Sequence, residues 1–150
     1  MAEVRGAEKV SIEEVIRLLN RLNLRITPQR IIITKIILEN VKNHPSFKQI
    51  YELVRKEMPS IGVSTLFNTL KLLEKHNIVT LFELNGETHI DLPRPHVNIY
   101  CTNTGKIVDY ESEDTSKIIE DLLATISRAG VKPYRVNVVV EASCPEVETN

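Results

Sequence analysis

Asn85-Gly86 stands between Ile78–Leu84 and Thr88–Leu92, two short runs that read as strands. Asn-Gly supplies the two positive-φ residues that a tight hairpin turn needs. This hairpin follows a series of helix signals, and that order constrains the fold more than any other feature of the chain. Ser11-Ile12-Glu13-Glu14 is a capping box, with Ile12, Val15, Ile16, Leu19 and Leu22 at helical spacing. Thr27-Pro28 places an N-cap residue before a proline at the first helical position. The aliphatic run after it, Ile31–Leu38, is β-branched enough to suggest a buried strand, but the cap and the flanking helical patterns favour a helix. Ser46-Phe47-Lys48-Gln49 is a second capping box, opening a helix with Ile50, Leu53 and Val54 on one face and an end near Met58-Pro59. After Ser60-Ile61-Gly62-Val63, either Val63 or Ser64 opens a fourth helix with Leu66, Leu70 and Leu73 inward, ending at His76-Asn77. Two helices joined by a short turn containing glycine outline a helix-turn-helix, and a hairpin after them makes it winged.

Pro93-Arg94-Pro95 stops the regular structure. Beyond it, Val97–Tyr100 and Lys106–Tyr110 read as strands around a turn at Thr102–Gly105. Glu113–Ala129 is amphipathic through Ile118, Ile119, Leu122, Leu123 and Ile126, with Gly130 as its stop, and Arg135–Ala142 is a valine-rich strand. The expected fold class is α+β: a winged helix-turn-helix domain over residues 1–92, a hinge at 93–96, and a small α/β domain over 97–150. So few strands leave edges that a second copy of the chain would cover. At 150 residues and 42% hydrophobic, such a chain can bury a core without disulfide staples. Cys101 and Cys144, the only cysteines, lie too far apart in sequence to suggest a disulfide scaffold, and two cannot by themselves form a four-cysteine zinc site. No apolar stretch approaches the roughly 20 residues of a membrane span, and the N-terminal residues lack the apolar core of a signal peptide. A cytoplasmic protein with no membrane partner is expected.

The net charge of −1 conceals an asymmetry. Residues 1–90 hold 13 Lys/Arg against 10 Asp/Glu, whereas residues 91–150 hold 6 against 10. A basic first half suits an anionic partner. Ser64, Thr65 and Asn68 near the start of the fourth helix can reach phosphates or base edges in a major groove. Arg25, Arg30, Lys48, Lys71 and Lys75 surround them in sequence. Three of the four histidines are candidate metal ligands: His44 between the second and third helices, His89 on the return strand of the hairpin, and His96 after the prolines. Asn98 lies two residues beyond His96 on the same strand face, and Asp109 on the next strand. His76, at a helix C-terminus, reads as structural. Imidazoles with a carboxylate suit zinc, iron(II) or manganese(II).

Five stretches in order resemble the ferric uptake regulator family of metal-dependent winged-helix repressors. They are Leu24–Arg30 (LRITPQR), His44–Tyr51 (HPSFKQIY), Ser64–Leu70 (STLFNTL), Cys101–Tyr110 (CTNTGKIVDY) and Ser143–Glu146 (SCPE). The resemblance implies a dimerisation domain behind the hinge and one divalent transition metal per chain (zinc, iron or manganese) held between the domains. His44, His96 and Asp109 match family ligand positions. His89 falls where Glu, Asp or His is usual, with Asp91 as its rival, and Asn98 replaces a customary histidine. An amide oxygen is a poorer ligand for such metals than imidazole. The family's structural zinc sits on two Cys-x-x-Cys pairs. Here Thr104 and Val147 break both, leaving Cys101 and Cys144, so no structural zinc is expected. Phe67-Asn68 replaces the frequent Tyr-Arg of the recognition helix. The resemblance thus implies a homodimeric, metal-responsive repressor that binds double-stranded DNA and is not an enzyme. Two alternatives are a DNA-binding dimer that has lost metal control and, less well supported, a small non-haem metalloenzyme.

Overall fold

A computed structural model describes residues 8–145. Glu146 and Val147, part of the second cysteine motif, lie outside the described residues. The chain forms two compact units that divide between Pro93 and Arg94.

In the first unit, α1 (Ile12–Arg21), α2 (Pro28–Asn40), α3 (Phe47–Glu57) and α4 (Val63–Lys75) precede a hairpin of β1 (Thr80–Leu84) and β2 (Glu87–Asp91). Local chemistry sets each boundary. Ser11 and Thr27 side chains accept hydrogen bonds from the Glu14 and Arg30 amides, and Pro28 occupies the first turn of α2. At α3 the capping box is complete: Ser46 Oγ accepts from the Gln49 amide, and Gln49 Oε1 accepts from the Ser46 amide. Asn23 and Asn77 end α1 and α4 at φ 56° and 58°, each followed by an amide that reaches back to the last turn. α4 has Gly62 as its N-cap, so Val63 rather than Ser64 opens it.

The core lies where α2, α3 and α4 meet. Ile33, Ile37, Ile50, Val54, Leu66, Leu70 and Leu73 are fully buried there, and Val79 and Ile90 carry it into the hairpin. The β-branched run of α2 is helical because its apolar residues fall on several sides of a central helix. Its environment, not its intrinsic propensity, decides. Ile12, placed on the apolar face of α1 by its spacing, is half exposed. Replacing Ser46 by Ala leaves the α3 N-terminus uncapped and is expected to lower stability by about 1 kcal/mol in a urea titration.

The second unit holds β3 (Val97–Cys101), β4 (Lys106–Tyr110), α5 (Glu113–Arg128) and β5 (Val138–Ala142). β3 is central, antiparallel to β4 and parallel to β5. Residues 135–137, expected to begin β5, lie outside the ladder. Contrary to the expectation from their sequence distance, Cys101 and Cys144 form a disulfide, with Cα atoms 5.3 Å apart. Sequence distance misled because the parallel pairing of β3 with β5 brings the end of one strand beside the residue that leaves the other. The Asn103 side chain reinforces this closure, accepting from the Cys144 amide at 3.0 Å and donating to the Cys144 carbonyl at 2.9 Å. On α5 only Ile119 is buried, while Ile118 and Leu122 are exposed.

Candidate functional site

Each unit presents one histidine–carboxylate pair. In the first, His44 Nε2 lies 3.5 Å from Asp91 Oδ1, and both side chains are almost wholly buried. His44 follows the 3₁₀ turn Val41–Asn43 and adopts the left-handed region, φ 50° and ψ 51°. That conformation is uncommon outside Gly, and Asn, Asp and His are the side chains that adopt it most readily. Asp91 ends β2 and also accepts from the Leu92 amide at 2.8 Å. Sequence reasoning ranked Asp91 below His89. The alternation of a strand puts both on one face, so spacing could not choose between them.

His89 makes a different set of contacts. Its Nδ1 donates to the His44 carbonyl at 2.9 Å, its ring stacks on Phe82, and its Nε2 lies 3.9 Å from Glu87 Oε2.

In the second unit, His96 Nε2 lies 3.5 Å from Asp109 Oδ1. His96 Nδ1 donates to the Arg94 carbonyl at 2.5 Å, which fixes the ring with Nε2 turned towards Asp109. Asn98 pairs directly with Asp109 across β3 and β4 and is buried. The Arg94 guanidinium approaches Asp109 Oδ2 at 3.7 Å and Glu111 Oε1 at 3.0 Å. An imidazole beside a carboxylate, as in each of these pairs, is a hard-to-borderline donor set of the kind that suits a divalent transition metal.

The exposed face of α4 carries Val63, Ser64, Phe67, Asn68 and Lys71, with Thr65 half-buried at its edge. Lys71 pairs with Glu74 at 2.8 Å and lies over the Phe67 ring. Arg25 is exposed, whereas the Arg30 guanidinium donates to the Arg25 carbonyl at 2.7 Å and so braces the loop before α2. His76 caps the end of α4 through its backbone. No described helix is long and apolar enough to cross a membrane.

Comparison with known proteins agrees with this architecture. The profile of the Ferric uptake regulator family matches residues 21–140. A ferric uptake regulation protein homolog of Archaeoglobus fulgidus is 31% identical over 130 residues, covering 86% of this chain and 95% of that protein. The peroxide-responsive repressor PerR of Staphylococcus aureus is 31% identical over 109 residues, covering 71% and 73%. Among solved structures, the ferric uptake regulator of Pseudomonas aeruginosa with manganese superposes with a TM-score of 0.65 over 87% of this chain and 98% of that one, at 17% identity. That likeness shows the shared fold: an N-terminal winged helix followed by a small C-terminal α/β domain. On the extent of the sequence match, the chain belongs to the ferric uptake regulator family, whose members are metal-responsive transcriptional repressors and not enzymes.

Proposed function

We propose that this chain is a homodimeric repressor of the cytoplasm whose affinity for double-stranded DNA is set by one divalent metal per chain, held at a hinge over residues 93–96 between the two domains. The single observation that carries this is the matched pair of donors: His44 with Asp91, and His96 with Asp109, each at 3.5 Å. Asp91 and His96 flank Pro93-Arg94-Pro95, so donors of both domains lie within a few residues of the linker. His44, Asp91, His96 and Asp109 are the ligands in this reading. Asn98 contributes at most a neutral oxygen.

The bound metal would supply a fixed link between the donor pairs. His44 and Asp91 would then hold the winged helix at one angle to the domain carrying His96 and Asp109. In a dimer that angle sets the spacing of the two α4 helices, which must match half-sites about 34 Å apart. By linkage, DNA must strengthen metal binding by the factor by which metal strengthens DNA binding. The second copy is supported by apolar side chains left bare on the second unit, Ile118 and Leu122 of α5 and Val140 of β5.

Metal analysis of protein purified without chelator, combined with a DNA-shift assay with and without metal, tests the reading. One metal per chain and metal-dependent retardation are expected. Metal-independent retardation would favour a dimer that has lost metal control, for which Asn98 in place of a histidine is the motivating feature. On the α4 face, Asn68→Ala is expected to weaken binding to the specific site by about 1–3 kcal/mol, if Asn68 reads a base edge. Lys71→Ala should weaken all sequences alike and reduce the salt slope by about one. A salt slope unchanged in the Lys71 variant would remove α4 from the phosphate contacts.

A further inference from the structure

His89 is the one candidate metal ligand whose geometry suggests another role. Its Nδ1 donates to the His44 carbonyl at 2.9 Å, and its ring stacks on Phe82 with centroids 5.4 Å apart and planes 17° from parallel. The same strand holds the same loop at two further points. The Ile90 amide donates to the Pro45 carbonyl at 2.9 Å, and Ser46 forms an isolated bridge with His89. The loop is thus laid against β2 like a short extra strand. It begins with His44 in the left-handed region, which is uncommon for residues with a Cβ although His enters it more readily than most. β2 then supplies Asp91, two residues after His89, as the partner of the His44 ring.

We propose that His89 is a positioning residue and not a ligand. Its Nδ1–H fixes the carbonyl of His44, so the His44 backbone keeps the left-handed turn that aims Nε2 at Asp91. The inference rests on the reading of His44 and Asp91 as metal donors. It adds that the wing strand sets the donor geometry from behind, through a backbone contact. A perturbation at His89 then reaches the metal site without touching a ligand.

The two roles need different nitrogens of one ring, and the isosteres separate them. An asparagine amide places its N–H₂ near the position of Nδ1, whereas a glutamine amide places it near Nε2. The test titrates Co²⁺ into the metal-stripped full-length protein and follows the visible absorption bands. His96→Ala is the reference and should lose well over 100-fold in affinity. His89→Ala and His89→Gln should weaken binding about 10–100-fold, the usual effect of removing an outer contact, with the saturated spectrum unchanged in shape. His89→Asn should return to within about fivefold of the parent. A His89→Asn protein as weak as His89→Ala, a spectrum altered in shape at saturation, or an alanine variant that binds like the parent would each overturn the proposal. Should these variants fail to fold, ¹⁵N spectra of the parent with and without Zn²⁺ decide. His89 should stay protonated on Nδ1 with Nε2 unmoved, and a metal-induced shift at its Nε2 makes it a ligand. If His96→Ala also binds like the parent, the metal reading itself fails, independently of His89.

Discussion

Reduction of the Cys101–Cys144 disulfide is expected to destabilise the second unit by up to about 4 kcal/mol without dismantling it. The bond closes a loop over a sequence separation of 43 residues. Removing such a constraint restores chain entropy to the unfolded state by about that amount in the loop-closure description. The native sheet has other means of holding the two ends. Five residue pairs join β3 to β5, the Thr102 amide donates to the Ala142 carbonyl at 2.8 Å, and Asn103 grips the Cys144 backbone at two atoms. Urea unfolding with and without a phosphine reductant should therefore show a lower midpoint but an unchanged folded-state circular dichroism spectrum. The Cys101→Ser, Cys144→Ser double variant should match the reduced parent and be insensitive to the reductant. In that background Asn103→Ala should cost more than it does in the oxidised protein, because both contacts fix one chain segment and do not act additively. A midpoint unmoved by reductant would mean that the two sulfurs do not constrain the chain.

Loss of a proposed metal donor is the other large effect. Asp91→Asn keeps the shape of the side chain and an oxygen for the Leu92 amide, yet removes the charge that faces His44. His96→Ala removes an imidazole whose orientation the Arg94 carbonyl has already fixed. Each is expected to weaken metal binding by more than about 100-fold, beyond what outer contacts usually contribute. The double variant should be little worse than either single one, since the residues serve one ion. DNA affinity in excess metal should then fall by the coupling factor alone, about 5–150-fold for a coupling of 1–3 kcal/mol. A weak, salt-dependent component should persist, because phosphate contacts do not need the metal. Metal binding by both single variants as tight as the parent's would return these side chains to ordinary packing.

Much of the architecture was legible because short-range chemistry fixes it. Ser46 with Gln49, Thr27 with Pro28, and Asn85 with Gly86 each mark a boundary within four residues, and the structure has an element start or a turn at each. The candidate donors are less legible. His89 and Asp91 share a strand face, and only the approach of the His44 loop, brought there by the fold, distinguishes a ring that braces a backbone from a carboxylate that faces a ring. The disulfide was illegible for a similar reason. It depends on a parallel pairing between strands separated by a hairpin partner and a helix, which no local pattern announces.

That parallel pairing has a consequence for synthesis. The core of the first unit draws on residues that all precede Pro93, so the emerging chain carries a finished winged helix early. β3, at the centre of its sheet, has only β4 to pair with until Val138–Ala142 leaves the ribosome. Contacts of such long sequence separation form slowly. During that interval one edge of β3 stays open on a nascent chain whose first unit is already complete. β5 and the Cys101–Cys144 bond beyond it then close that edge, so the sheet of the second unit is finished only after the first unit has all its residues.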